Sequence, residues 1–189
     1  IQTLRGGGVS GKVFVPARQT LTVDYLAGSL TIEGAGAALR VSRLGTNAVL
    51  SVTGQMAVTL DSAAPGAALT LAGAATPLSV TGPGITLDSL TLTSGLVPIA
   101  GELTVTLLGG NGHLLKQGAD TLRIYFSTNT AGVKVDAGQL ILAPPAPETV
   151  LGNLPALWLD ASADNVFTQY KTYAFTNGFI NIERWNDSR

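Results

Sequence analysis

The chain has 189 residues, of which 46% are hydrophobic and only 12% charged, with a net charge of −1 and no cysteine. The few Lys and Arg are scattered, which excludes the basic stripe that neutralises nucleic-acid phosphates. No run of 18 apolar residues is present to form a membrane-spanning helix, and disulfides and thiolate metal sites are excluded outright.

A core is affordable on this composition, but surface polarity must come from Thr, Ser, Asn, Gln and backbone, as in β-rich extracellular fibres. The opening Ile1-Gln2-Thr3-Leu4-Arg5 is neither an initiator methionine nor a signal peptide. The expectation is an excised piece of a longer chain.

From about Val13 to Leu142 short apolar-x-apolar runs alternate with Gly, Ala, Ser, Asn or Pro. They are Leu30-Thr31-Ile32, Leu39-Arg40-Val41, Val49 to Val52, Met56 to Leu60, Leu69-Thr70-Leu71 and Leu78-Ser79-Val80. Ile85-Thr86-Leu87, Leu90-Thr91-Leu92, Leu103 to Leu107, Leu122 to Phe126, Val133-Lys134-Val135 and Leu140-Ile141-Leu142 follow. In a strand this pattern sends two side chains inward and one outward. Helical recurrence at i, i+3, i+4 and i+7 is missing. A β-sandwich and a β-solenoid both use many short strands. Three-residue strands, small turn residues and 6% aromatics favour the solenoid, in which like residues stack into ladders. Leu71, Val80, Leu92, Val105, Leu122, Ile124 and Leu140 are its expected inward positions.

Pro144-Pro145-Ala146-Pro147 breaks the rhythm and reads as an extended linker. Beyond it aromatics concentrate at Trp158, Phe167, Tyr170, Tyr173, Phe175, Phe179 and Trp185. The expected division is a β-solenoid over 1–143, a linker over 144–155 and an incomplete module over 156–189.

Leu108, Gly110, Gly112, Leu114, Lys116 and Gly118 are followed by Thr121-Leu122-Arg123-Ile124, Asn129-Thr130 and Val135-Asp136-Ala137-Gly138-Gln139-Leu140-Ile141-Leu142. This stretch resembles the autotransporter-associated β-strand repeat of secreted bacterial passenger regions, with Asp120 where that pattern has Gly. The resemblance implies an exported parallel β-helix acting as a stalk or display scaffold. On the residues themselves, Lys116 is expected to lay its stem on the wall and keep its ammonium in water. Leu157-Trp158-Leu159-Asp160-Ala161-Ser162 and Ile182 to Ser188 resemble the opening of a laminin-G-like, concanavalin-type lectin domain, a jelly roll of which this is a fraction.

His113, the only histidine, falls in a turn of the repeat and is expected to be exposed. Asp160, Asp164 and Asp187 could offer oxygen ligands to calcium, but no calcium-loop spacing accompanies them. Thr20-Leu21-Thr22, Thr91-Leu92-Thr93 and Thr104-Val105-Thr106 are too irregularly spaced for a flat threonine array and read as outward positions of strands. Asp24, Glu33, Asp61, Asp88, Glu102, Asp120 and Asp136 are spread through the repeats, whereas glycoside hydrolysis needs paired carboxylates.

The reading is an all-β protein, a parallel solenoid of either hand followed by a jelly-roll-like segment. No catalytic, cofactor or metal residue is assigned and no enzyme is expected. The expected role is a stalk, passenger or fibre segment of a large protein, extracellular or on a bacterial cell surface. Its expected partners are the rest of a longer polypeptide or neighbouring copies. A carbohydrate-binding adhesin, with the lectin-like module presented by the solenoid to extracellular glycans, is the alternative.

Overall fold

The structure, a computed structural model, describes residues 1–6, 11–72, 77–142, 157–160, 175–176 and 179–180. Every regular element among them is a strand. In chain order these are β1 (Thr3–Arg5), β2 (Gly11–Phe14), β3 (Thr20–Val23), β4 (Tyr25–Ala27), β5 (Ser29–Glu33) and β6 (Ala38–Val41). Next come β7 (Val49–Thr53), β8 (Ala57–Leu60), β9 (Ala68–Ala72), β10 (Leu78–Val80), β11 (Ile85–Leu92) and β12 (Leu96–Ala100). The series continues with β13 (Leu103–Gly110), β14 (His113–Lys116), β15 (Thr121–Ser127), β16 (Val133–Val135), β17 (Gln139–Leu142) and β18 (Leu157–Asp160).

The chain winds as a parallel β-solenoid of about seven turns. A first sheet stacks β2, β5, β7, β9, β11, β13, β15 and β17, all parallel; a second stacks β3, β6, β8, β10, β12, β14 and β16. At the N-terminal end a narrow third face adds β1 on β4, extended by bridges from Leu26 to Leu44 and Ala63. Eight stacked strands at about 4.8 Å make a rod roughly 34 Å long.

Stacking turns the apolar-x-apolar runs into columns. In the first sheet Leu30, Leu50, Leu69, Leu90 and Leu108 lie in register, all buried, beside a second buried column of Ile32, Val52, Leu71 and Leu92. In the second sheet Leu39, Val58, Leu78 and Ile99 face them. The seven expected inward residues, Leu71, Val80, Leu92, Val105, Leu122, Ile124 and Leu140, are all buried. Each buried leucine contributes about 2 kcal/mol of apolar transfer, so the columns hold the two sheets together.

Two expected strands merge into one. Ile85-Thr86-Leu87 and Leu90-Thr91-Leu92 are the halves of β11, with Leu87 and Leu90 both buried. The pairing steps from Leu87 with Val105 to Ser89 with Leu107, passing over Asp88 and Thr106. Two consecutive residues thus lie outside, and the strand rounds an edge of the solenoid there.

Other corners use turns. Ala48 N–H donates to Gly45 O and Ala67 N–H to Ala64 O, on successive coils. The third residue of each turn, Asn47 at φ 52 and Gly66 at φ 75, is left-handed. Asn and Gly tolerate that region, and Pro65 presets the second position of its turn.

At the C-terminal end β18 adds to β17 antiparallel, and Phe175–Thr176 pairs antiparallel with Phe179–Ile180. β18, around Trp158, thus continues the edge of the first sheet. The linker 144–155, most of the 156–189 module, and Asp164, Asp187 and Trp185 lie outside the described residues.

Candidate functional site

His113 is the first residue of β14, not a turn residue, and it is exposed, with its N–H donating to Gly95 O at 2.6 Å. Asp160 ends β18, its backbone opposite Gln139. The acidic residues fall on separate elements: Asp24 and Glu102 lie between strands, Glu33 ends β5, Asp61 follows β8, Asp88 rounds the edge of β11, Asp120 precedes β15 and Asp136 follows β16. Among the described residues no three His, Cys, Asp or Glu side chains gather at metal-binding distance, and no helix is long and apolar enough to cross a membrane.

What the fold does assemble is two polar ladders outside and two polar anchors inside. Outside, Arg40 donates to Asp61 Oδ2 at 3.1 Å, and Thr81 Oγ1 donates to Asp61 Oδ1, linking three successive coils. The Thr81 hydroxyl, then Arg40, hold the Asp61 carboxyl below its ordinary value of 3.8, against partial burial. Its contribution to stability is therefore present above pH 3.8 and is lost as the pH falls through the lowered folded-state value.

The second ladder runs along the outer face of the first sheet. Lys12, Thr31, Ser51, Thr70, Thr91 and Gly109 are in register, so four hydroxyl residues occupy one column on consecutive coils. The three Thr-x-Thr pairs do not stack on one another. Thr20 and Thr22 pair with Ala38 and Arg40, Thr91 pairs with Thr70 and Gly109, and Thr104 with Thr86 and Arg123.

Inside, Lys116 departs from expectation. It stands in the inward column between Ile99 and Val135 and is fully buried. Its ammonium donates to the carbonyl oxygens of Gln117 and, at 2.9 Å, Gly118. Gly118 has φ 78, so the chain turns sharply just after β14, and those carbonyls have no strand partner. Lys116 curls back to satisfy them where a stem on the outer wall could not. Burial pushes its ammonium below the ordinary value of 10.5, opposed by Asp120.

Asn129 is the second anchor. Its Nδ2 donates to Gly112 O at 2.8 Å and Gly109 O at 3.4 Å, on the preceding coil. Its Oδ1 accepts the N–H groups of Ala131 and Gly132. One side chain thus organises its own turn and ties it to the turn before.

Comparison with known protein families, curated proteins and solved structures finds no match for this chain.

Proposed function

We propose that this chain is a structural segment, a stalk, passenger or fibre element of a larger extracellular or bacterial cell-surface protein. The observation that carries the reading is the continuous in-register stacking of two parallel sheets of eight and seven strands around largely aliphatic columns. Such a stack sets length and rigidity coil by coil, because each coil contacts chiefly its neighbours. The polar features support the same role: Lys116 and Asn129 satisfy turn backbone, and Arg40, Asp61 and Thr81 tie coil to coil. The remainder of the polypeptide or neighbouring copies are its partners in this reading, and it needs no cofactor and performs no catalysis.

The test is removal of one coil. Deleting Val49 to Ala67 joins Ala48 to Ala68, which occupies the position of Val49 in the first sheet. A spacer so shortened should fold, be exported and remain accessible to a membrane-impermeant label on intact cells. Loss of an enzymatic activity of the whole protein, with folding and display intact, would overturn the reading. A second reading, a glycan-binding adhesin, rests on the lectin-like segments around Trp158 and Trp185 and is tested by a glycan array on the whole protein.

A further inference from the structure

The corner between β13 and β14 carries a chemically labile peptide. Of the described asparagines, Asn47, Asn111 and Asn129, only Asn111 precedes a glycine. Attack by the following backbone nitrogen on an asparagine amide closes a five-membered imide, and glycine leaves that nitrogen unshielded by any side chain. Coil packing is what puts glycine here. A Cβ on Gly112 would meet Leu92 Cβ at 3.0 Å and the Ser94 backbone at 3.1 Å, both on the preceding coil. A larger residue would push the two coils apart, so the Asn-Gly pair follows from the stacking itself.

The fold holds this peptide from both sides. On the preceding coil, Leu92 O accepts the N–H of Asn111 at 2.9 Å and that of Gly112 at 2.8 Å. On the following coil, Asn129 Nδ2 donates to Gly112 O at 2.8 Å, and Thr130 N–H donates to Gly110 O at 3.0 Å. His113 N–H is tied to Gly95 O, so β14 begins at once. Asn111 is exposed and Gly112 buried. While its N–H is aimed at Leu92 O, the Gly112 nitrogen cannot turn towards the Asn111 side chain, because the planar peptide unit rotates as one piece.

We propose that Asn111 is a site of spontaneous deamidation held shut by the stacked coils, with Leu92 O and Asn129 as the two halves of the latch. When the corner opens, the Gly112 nitrogen loses its proton and bonds to Asn111 Cγ. The Cγ–Nδ2 bond breaks and ammonia leaves. Water then opens the cyclic imide to aspartate or to an isoaspartyl linkage. The isoaspartyl product routes the main chain through one extra carbon, which takes Gly112 out of step with Leu92 O. Modification is therefore coupled to local opening of this one corner, and each event records an opening irreversibly.

The test incubates the full chain at mildly alkaline pH and follows the peptide containing Asn111. Mass spectrometry reads the conversion of amide to acid, and enzymatic methylation reads isoaspartate. The folded chain should react at least about tenfold more slowly than the same chain in denaturant. Asn129→Ala should speed the folded reaction by about tenfold. Leu39→Ala, a core truncation on β6, four strands along the second sheet from β14, should leave it at the parent rate. Equal rates in the folded and denatured parent would overturn the latch. Equal acceleration by Leu39→Ala and Asn129→Ala would overturn its local character, since global unfolding would then carry the reaction. Should Asn129→Ala fail to fold, the comparison of folded with denatured parent decides alone.

Discussion

At Lys116 an ammonium group takes the place that its column neighbours, Ile99 and Val135, give to methyl groups. Burial lowers its pKa from 10.5, so the unfolded chain holds that proton more tightly than the folded one. Stability attributable to Lys116 therefore rises with pH between the lowered folded-state value and 10.5, and is smallest below that window. Denaturant titrations across the alkaline range should show this rise in the parent and a flatter profile in Lys116→Met; identical profiles would place the ammonium in water. Leu122 tests the aliphatic rule directly, being fully buried between Leu103 and Leu140. Leu122→Asp should cost several kcal/mol, since a carboxylate would enter the core unpaired; an unchanged melting curve would contradict the column. The inward leucines were legible as members of apolar-x-apolar runs. The burial of Lys116 was not, because its column membership depends on Ile99 and Val135, 17 and 19 residues away in the chain.

Strands were legible where two inward residues bracket one outward residue, as in β5, β7, β9, β10 and β16. β4 was not, since Tyr25-Leu26-Ala27 buries only Leu26. In β12 the run is masked by Pro98, a residue that removes a ladder donor. It is tolerated because Ile99 pairs with Leu78, the first residue of β10, so Pro98 stands before that ladder begins. The hydroxyl column is not legible in the sequence for a related reason: Thr31, Ser51, Thr70 and Thr91 are separated by 20, 19 and 21 residues, a near-period that local Thr-x-Thr pairs do not carry. Turns have their own dependence on single residues. Asn129 makes bonds to four backbone groups of two coils, and alanine would leave those groups without it. Asn129→Ala should destabilise by about 2–3 kcal/mol, while Asn111→Ala, an exposed neighbour on the preceding coil, should change stability by less than about 0.5 kcal/mol. Equal costs in thermal unfolding would remove the anchoring role.

For the whole molecule, a stack of coils gives the same residue a different weight according to its place along the rod. Leu21 and Leu39 make the comparison, as adjacent rungs of one inward column with the same side chain and the same cross-sectional position. Leu39 lies between Leu21 and Val58 and is 1% exposed. Truncating it opens a cavity walled on every side, which neighbours locked in register cannot collapse to fill, so Leu39→Ala should cost about 3–4 kcal/mol. Leu21 has Leu39 on one side and an open cleft on the other. Its truncation enlarges a space already open to solvent and forfeits only part of the transfer energy, about 1 kcal/mol. Denaturant unfolding of the two variants against the parent reads both numbers. Equal costs for Leu21 and Leu39 would mean that the end of the column is closed.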